Sequence, residues 1–289
     1  MPDARWWSAG ENGEVVCSLC FRNCTIPPGS ANSPGRGVCR VRENHDGRLI
    51  SPYLGHFVSA AIDPIEKKPL YHWRPGSRIY SVGGLGCTMH CQFCQNHEIA
   101  QPRKLPGPTF FPVERLAAEC KRHGIDSVAY TYNEPSLQAE YILAAAPLLK
   151  TAGIATVMVT NGMLSSEVAQ ALLPHVAAAN IDVKTFSGSN YAKLGGSLEQ
   201  VQRNLALWAE AGVHVEATCL VVPGVSDDEG AFTALTEWLS AINPAIPLHI
   251  SRYFPRHKFT APPTATNLMQ HFAAIAKKRL THVYLGNVR

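Results

Sequence analysis

Three cysteines in the first third of the chain have the residue type and spacing of an iron–sulfur site. Cys87, Cys91 and Cys94 follow a glycine-rich stretch and are separated by three and then two residues. Three thiolates on one loop are one too few for a closed tetrahedral zinc site, but they suit a [4Fe-4S] cluster that leaves one iron open to another ligand. Two alternatives remain on spacing alone: a zinc ion that takes its fourth ligand from His90 or His97, and thiols without a metal.

Four further cysteines form a second group, nearer the start of the chain. Cys17, Cys20 and Cys24 lie within eight residues, and Cys39 follows after fourteen more. Four thiolates suit a tetrahedral zinc site, which would stabilise a small segment that lacks a deep core of its own. A second iron–sulfur cluster and unligated or redox-active thiols are the alternatives, and the spacing does not separate zinc from iron.

Composition limits the class of protein that carries these groups. The chain has 289 residues, of which 46% are hydrophobic and 17% charged, so it has enough apolar surface for a sizeable core and is not disordered. The net charge of +4 is spread along the chain, so nucleic acid is not indicated as a partner. We find no uninterrupted apolar run of about 18 residues and no signal peptide, so we expect no membrane partner and a cytoplasmic location.

The chain divides into two regions of different pattern. Residues 1–75 are rich in Cys, Gly and Pro and predict a small irregular module, whereas residues 76–289 alternate short β-branched runs with amphipathic helices. The second region predicts six strands, at 78–82, 127–132, 155–160, 179–183, 214–222 and 248–251. The fold class is therefore α/β. Six parallel β/α units form either an open doubly wound sheet or an incomplete barrel, and both place their chemistry at the carboxyl ends of the strands.

The cysteine triplet, with Phe93 before its third cysteine and a position after the first strand of a β/α series, resembles the motif of the radical S-adenosylmethionine (radical SAM) superfamily. This resemblance implies a partial (β/α)6 TIM-like barrel with a small Cys-rich N-terminal module. It also implies that Cys87, Cys91 and Cys94 are catalytic, as ligands of a [4Fe-4S] cluster whose open iron binds S-adenosyl-L-methionine (SAM).

The ends of the later strands are similar to the SAM-binding segments of the same superfamily. The residues that the resemblance implies for this role, together with Phe93, are Asn133, Glu134, Thr160, Asn161, Asp182, Lys184 and Val222. Asn133 and Glu134 lie in a segment similar to one that hydrogen-bonds the methionine amino group. Thr160 and Asn161 are similar to the Thr-Asn-Gly of pyruvate formate-lyase activating enzyme. The Asp-x-Lys pair is similar to one that reaches the SAM carboxylate or ribose, and the valine lies in a segment similar to one that flanks the adenine.

Segments spread over nearly the whole chain are closer still to one family, the AmmeMemoRadiSam-system radical SAM enzymes, which are related to pyruvate formate-lyase activating enzyme. The segments that carry this resemblance are 63–70, 94–96, 130–135, 249–252 and 286–288. Membership would imply a reducing partner such as flavodoxin or ferredoxin. It would also imply AMMECR-like and Memo-like proteins as partners.

The function implied by these resemblances is reductive cleavage of SAM to a 5′-deoxyadenosyl radical, which abstracts hydrogen from a substrate that the sequence does not identify. Arg252, Tyr253 and His249, near the last predicted strand, are candidate substrate contacts. A glycyl-radical enzyme activase is one alternative, but Val159 stands where such activases carry an acidic residue. A metal-binding interaction module without catalysis is the other alternative.

Overall fold

The protein is described here by a computed structural model that covers residues 4–30, 33–107 and 109–288. Its strands are β1 (Trp7–Ala9), β2 (Val15–Cys17), β3 (Cys24–Ile26), β4 (Gly35–Arg36), β5 (Glu43–His45), β6 (Arg48–Ile50), β7 (Ser59–Pro64), β8 (Arg78–Gly83), β9 (Ser127–Tyr130), β10 (Ala155–Thr160), β11 (Ala178–Asp182), β12 (His214–Val221), β13 (Leu248–Arg252) and β14 (Val283–Gly286). Its α-helices are α1 (His97–Ala100), α2 (Val113–Arg122), α3 (Ala139–Thr151), α4 (Ser166–Leu172), α5 (Gly188–Lys193), α6 (Leu198–Glu210), α7 (Glu229–Ile242) and α8 (Thr266–Ala276). None of these helices is long and apolar enough to cross a membrane.

An eight-stranded sheet forms the main body of the protein. Its order is β14-β13-β12-β11-β10-β9-β8-β7, and every neighbouring pair is parallel except β7 with β8. Parallel neighbours need a crossover connection, and helices supply these connections from β8 through to β14. In the described chain β14 and β7 do not pair with each other, so the barrel stays open. The predicted α/β class and partial barrel are confirmed.

The sheet contains two strands more than the six that the sequence predicts. β14 is a run of only four half-buried residues, so it carries little periodic signal. β7 ends in an aspartate and a proline, both of which are rare in strands, and it lies before residue 75 in the predicted N-terminal module. The division at that residue stays a prediction, but β7 pairs along its whole length with β8 of the main sheet.

The remaining N-terminal residues form two small antiparallel sheets, β1-β2-β3 and β4-β5-β6. Their buried side chains, among them Trp6, Leu19 and Val41, belong to the same apolar cluster as the barrel residues Leu137 and Met163. The module therefore buries its apolar surface against the barrel, as expected for a segment too small to enclose a core.

The segment between β7 and β8 closes the amino end of the barrel. It leaves and returns at that end because Pro64 pairs with Arg78 at the start of β8. Within it, the Pro69 carbonyl accepts a hydrogen bond of 2.8 Å from Asn180 Nδ2 on β11. The backbone of this segment also reaches β12, so that it spans the open end of the sheet.

Glu216 on β12 binds the backbone of the segment between β7 and β8. Its buried carboxylate accepts hydrogen bonds from the backbone N–H groups of Tyr71 and His72, at 3.0 and 2.8 Å, and contacts the rings of His214 and His249, at 3.0 and 2.6 Å. Burial alone would raise the pKa of Glu216, but these hydrogen bonds lower it to about 2. The carboxylate is therefore ionised and fully partnered at neutral pH.

Asp63 is the second buried carboxylate at this end of the barrel. Its oxygens accept hydrogen bonds from Lys68 Nζ at 2.6 Å, from Lys67 Nζ at 2.9 Å and from the Tyr132 hydroxyl at 2.6 Å. Burial opposes ionisation of Asp63, yet these three donors outweigh it and lower the pKa of the carboxyl. The two lysines differ in environment, because the side chain of Lys68 is 2% exposed and that of Lys67 is 69% exposed.

We expect Lys68→Met to lower the free energy of unfolding by about 3–5 kcal/mol, because removing one partner of a buried ion pair leaves the other charge uncompensated. Lys67→Met is the matched control, since it removes the exposed partner of the same carboxylate and should cost no more than about 1 kcal/mol. Urea unfolding of the two variants and the parent protein measures both. Equal costs for the two substitutions would contradict this account.

Candidate functional site

The loops that follow β8 and β9 are fastened to each other by side-chain amides at the carboxyl edge of the sheet. Asn133 Oδ1 accepts a hydrogen bond from Gly84 N at 3.1 Å, and its Nδ2 donates to the Gly86 carbonyl at 2.8 Å. Asn96 Nδ2 donates to the Tyr132 carbonyl at 2.6 Å. These contacts fix the glycine-rich stretch that leads into the cysteine triplet. Asn133, predicted to bind SAM, thus has its side chain engaged in bracing this loop.

Cys87, Cys91 and Cys94 lie close to one another, because Cys91 and Cys94 both contribute to raising the pKa of Cys87. Burial raises the pKa of all three, to about 11 for Cys91, whereas the nearby Lys184 ammonium favours the thiolate forms of Cys91 and Cys94. Iron binds the thiolate, so metal binding must displace these protons.

Two N–H donors point at the Cys87 sulfur. The backbone N–H of Met89 lies 3.4 Å from Cys87 Sγ, and Asn161 Nδ2 lies 3.5 Å from the same atom. Asn161 also donates to Thr88 Oγ1 at 3.0 Å, which holds its amide in place. Hydrogen bonds to ligand sulfur are one of the factors that set the potential of an iron–sulfur cluster. The structure therefore places Asn161 beside the predicted cluster ligands.

Glu134 joins the end of β9 to the end of β10. One carboxylate oxygen accepts hydrogen bonds from Thr160 Oγ1 at 2.8 Å and from Ser136 N at 2.9 Å, and the other accepts one from Asn161 N at 2.9 Å. The side chain is 1% exposed, and burial raises the pKa of its carboxyl despite these donors. Glu134 and Thr160 thus contact each other, and Glu134 positions Asn161. Their role in binding SAM stays a prediction.

Asp182 and Lys184 form an ion pair at the end of β11, with 2.7 Å between Lys184 Nζ and Asp182 Oδ2. Burial would lower the pKa of Lys184, but the charges of Asp182 and Cys91 raise it, so the ammonium stays charged. The Tyr191 hydroxyl, a residue that the sequence analysis did not single out, accepts a hydrogen bond of 3.0 Å from Lys184 N. A fixed positive charge therefore lies beside Cys91 and Cys94.

The last two predicted residues, Val222 and Phe93, are both buried. Val222 N donates a hydrogen bond of 2.8 Å to Ser226 Oγ, which fixes the backbone turn after β12. The Phe93 ring meets the rings of Tyr253 and Phe259 edge-on, with centroids 6.5 and 6.0 Å apart. An aromatic cluster therefore covers one side of the cysteine loop.

Two segments from distant parts of the chain contact the cysteine loop. Lys258 N donates to the Gln92 carbonyl at 2.9 Å. From the N-terminal module, the Arg22 guanidinium donates to the Thr88 carbonyl at 2.7 Å and to the Gly195 carbonyl. Both segments are therefore hydrogen-bonded to this loop. Sequence reasoning did not single out Arg22 or Thr88, because an exposed-looking arginine and a threonine carry no local signal for such contacts.

The three residues predicted to contact substrate form hydrogen bonds within the described part of the chain. Arg252 Nε donates to the Thr264 carbonyl at 2.7 Å, and the Tyr253 hydroxyl donates to the Phe259 carbonyl at 2.9 Å. His249 contacts Glu216 near the amino end of the barrel. Their proposed role in binding substrate stays a prediction.

The donor set fits an iron–sulfur cluster better than a single metal ion. Over residues 4–30, 33–107 and 109–288, no three His, Cys, Asp or Glu side chains converge on the position of one metal ion. A cluster spaces its ligands more widely, because each thiolate binds a different iron. Three thiols that are buried or half-buried, N–H donors at the Cys87 sulfur and a lysine ammonium nearby provide what such a cluster needs.

An open parallel β/α barrel with a three-thiolate loop after its first parallel strand defines an iron–sulfur enzyme class, and comparison with known proteins agrees. The family model described as the radical SAM superfamily matches residues 81–235. An uncharacterized protein of Methanocaldococcus jannaschii is 33% identical over 293 residues, which include all of this chain and 86% of that protein.

Solved structures share the fold at low sequence identity. A radical SAM methyltransferase from Sphaerobacter thermophilus superposes with a TM-score of 0.54 at 15% identity, over 74% of this chain and 67% of that one. SuiB from Streptococcus suis, bound to S-adenosylmethionine, gives a TM-score of 0.53 at 15% identity, over 69% of this chain and 47% of that one.

This chain belongs to the radical SAM superfamily. It is therefore an enzyme that uses a [4Fe-4S] cluster and SAM. The superfamily, the fold and these two cofactors are confirmed, whereas the assignment to AmmeMemoRadiSam-system enzymes and the roles of individual site residues stay predictions.

We expect Asn161→Ala to make the midpoint potential of the bound cluster more negative without loss of iron. The substitution removes an N–H donor that lies 3.5 Å from Cys87 Sγ, and such donors stabilise the reduced, more negative cluster. Potentiometric titration followed by electron paramagnetic resonance (EPR) measures the shift. Asn267→Ala, which replaces an exposed asparagine on α8, is the control. An unchanged potential in Asn161→Ala would show that this amide does not act on the cluster.

Proposed function

We propose that this enzyme cleaves SAM reductively to methionine and a 5′-deoxyadenosyl radical, which then abstracts a hydrogen atom from an organic substrate. The observation that carries the proposal is that three thiols, one buried and two half-buried, lie with the Asn161 amide and the Lys184 ammonium at the carboxyl edge of the sheet. When bound, the cluster supplies the single electron that breaks the bond between the SAM sulfur and its 5′ carbon.

The residues of this chain hold and orient the two cofactors. Cys87, Cys91 and Cys94 bind three irons, and the Asn161 amide and the Met89 N–H donate to the first of these sulfurs. Glu134 acts through Asn161, because its carboxylate accepts the Asn161 backbone N–H and so fixes the direction of the side-chain amide.

Lys184 is the residue we assign to the SAM carboxylate. Its ammonium is charged, lies beside Cys91 and Cys94, and is paired in this structure with Asp182, so a ligand carboxylate can share it. The turn at Val222, fixed by Ser226, offers an apolar surface for adenine. These assignments also rest on the similarity of the strand-end segments to those of the superfamily.

A radical intermediate needs protection from water, and two parts of this chain supply cover. Tyr253 and Phe259 pack against Phe93 beside the cluster loop. Arg22 connects the N-terminal module to the same loop through its hydrogen bond to the Thr88 carbonyl. We therefore assign these segments to water exclusion, and place substrate entry at the open carboxyl edge between them.

We expect anaerobically reconstituted protein to form 5′-deoxyadenosine from SAM with dithionite, and Cys94→Ala to reduce this product to the level of a protein-free sample. The cause is loss of one of three iron ligands. Quantification of 5′-deoxyadenosine by mass spectrometry provides the measurement. Cys120→Ala, which removes a buried thiol on α2 remote from the site, is the control. A wild-type protein with an intact cluster and no product would overturn the proposed function.

A basic cavity beside Cys87 indicates where an electron donor would bind. Its volume is about 310 Å³, and Arg40, Arg103 and Lys258 line it together with Cys39 and Cys87. Flavodoxin or ferredoxin is proposed as the reducing partner. Three cations around a cavity that reaches a cluster ligand would attract a donor with an acidic surface.

We expect Arg103→Glu combined with Lys258→Glu to slow flavodoxin-driven SAM cleavage about tenfold at low salt, because the substitutions reverse the charge that attracts the donor. The dithionite-driven rate should not change, since dithionite is small and needs no docking surface. Lys277→Glu combined with Lys278→Glu, both exposed beyond α8, is the control. Equal slowing with both reductants would show that the cavity does not serve donor docking.

The finer assignment rests on the sequence resemblance. It supports AMMECR-like and Memo-like partners and a cytoplasmic location as proposals. The glycyl-radical activase alternative gains no support, because Val159 provides no acidic side chain at the end of β10. The interaction module without catalysis is less well supported, since the chain belongs to a superfamily of enzymes.

A further inference from the structure

Arg22 reaches the cysteine loop from the N-terminal module. It lies in the turn between β2 and β3, strands that pair through Cys17 and Cys24. The backbone beside it is fixed to the loop after β10, because Phe21 N donates to the Met163 carbonyl at 3.2 Å. The hairpin therefore presents the half-buried Arg22 side chain to the cysteine loop from a fixed backbone position. Metal binding by the four N-terminal cysteines stays a prediction.

The guanidinium of Arg22 joins two backbone carbonyls that belong to different loops. Its Nε donates to the Thr88 carbonyl at 2.7 Å, and its Nη2 donates to the Gly195 carbonyl. Nη2 also lies 3.4 Å from His90 Nδ1. Gly195 has a φ of +73°, and a β-carbon there would collide with the His90 ring and with the guanidinium. The absence of a side chain at this residue therefore permits the contact.

One peptide unit connects Arg22 to the Cys87 sulfur. The Thr88 carbonyl and the Met89 N–H belong to the same planar unit, so the direction of one fixes the direction of the other. Met89 N lies 3.4 Å from Cys87 Sγ, and Thr88 is 1% exposed. Arg22, which holds the carbonyl, thus sets the direction of the N–H. A cation hydrogen-bonded to the carbonyl also polarises the unit and strengthens its N–H as a donor.

The second carbonyl contact of Arg22 fixes the packing of Met89. The residue after this carbonyl, Gly196, lies against the Met89 side chain and the Tyr191 ring, since a β-carbon there would come within 2.7 and 2.8 Å of them. The Tyr191 hydroxyl in turn accepts the Lys184 N–H at 3.0 Å. Arg22 therefore holds the cysteine loop against the segment that fixes the backbone of Lys184.

We propose that Arg22 is a positioning residue for the iron–sulfur cluster. It acts through the Thr88–Met89 peptide unit, whose N–H it directs at Cys87 Sγ. Such a donor stabilises the reduced, more negative cluster and makes its midpoint potential less negative. The proposal rests on the function proposed above, in which Cys87 binds iron. It gives the N-terminal module an influence on the potential of the cluster, in addition to its part in excluding water.

Potentiometric titration followed by EPR tests the proposal on the full chain, reconstituted anaerobically and without SAM. The signal to follow is the one that Cys94→Ala abolishes. We expect Arg22→Leu to keep its iron and to disfavour reduction about tenfold, which for a one-electron couple is a shift of about 59 mV to more negative potential. Arg36→Leu is the control and should cause no shift, because Arg36 lies in the same module and pairs with Glu43.

Arg22→Lys separates position from charge. It keeps the positive charge but not the planar fork that reaches both carbonyls, so we expect the potential to remain more negative than in the parent protein. The parent's potential in Arg22→Lys would show that charge alone acts, and an unchanged potential in Arg22→Leu would show no effect at all. Either result would overturn the proposal. A signal that persists in Cys94→Ala would instead refute the cluster ligands of the proposed function, and this inference with them.

A spectroscopic measurement locates the effect at one N–H. Protein labelled with [15N]methionine should show, in pulsed EPR of the reduced cluster, a hyperfine coupling to Met89 N. Met89→Leu identifies this coupling, since it keeps the backbone N–H but removes the label. We expect the coupling to weaken in Arg22→Lys, and an equal coupling in that variant would contradict the proposal. This measurement does not require Arg22→Leu to fold, and it does not depend on SAM cleavage.

Discussion

The site depends on one buried carboxylate, that of Glu134. It accepts the Thr160 hydroxyl and the Asn161 N–H, so the ends of β9 and β10 are held in a fixed relation. Asn161 in turn reaches the Cys87 sulfur and Thr88. A carboxylate that is nearly inaccessible to water must be satisfied within the protein, and here that requirement orders the residue that contacts Cys87, a predicted cluster ligand.

The two ends of the barrel use buried charge in different ways. At the amino end, Asp63 with Lys68 and Glu216 with its histidines fasten the segment that closes the sheet. These groups are fully partnered and therefore stabilise one arrangement of the chain. At the carboxyl edge, the Asp182–Lys184 pair lies beside Cys91, a predicted cluster ligand. The same kind of interaction therefore closes the barrel at one end and lies at the predicted cofactor site at the other.

The N-terminal module contacts the loops around the site, although it has little hydrophobic core of its own. The Phe21 N–H donates to the Met163 carbonyl and the Ser165 N–H to the Leu19 carbonyl, so the cysteine hairpin pairs with the loop after β10. That loop directly follows Asn161. These hydrogen bonds therefore fix the position of the N-terminal hairpin relative to the loop that carries Asn161.

The sequence by itself determined the parts of this protein that depend on local spacing. The rhythm of strands and helices was enough to predict the α/β class. The resemblance carried by Cys87, Cys91 and Cys94 and by the strand ends implied the superfamily, the two cofactors and the partial barrel. Only the tertiary structure decided that Asn133 braces the glycine loop and that Glu134 holds Asn161. It also added β7 and β14 to the sheet. The physical reason is that these contacts join residues distant in the chain, and strand register and turn direction, which no local pattern encodes, bring them within hydrogen-bonding distance.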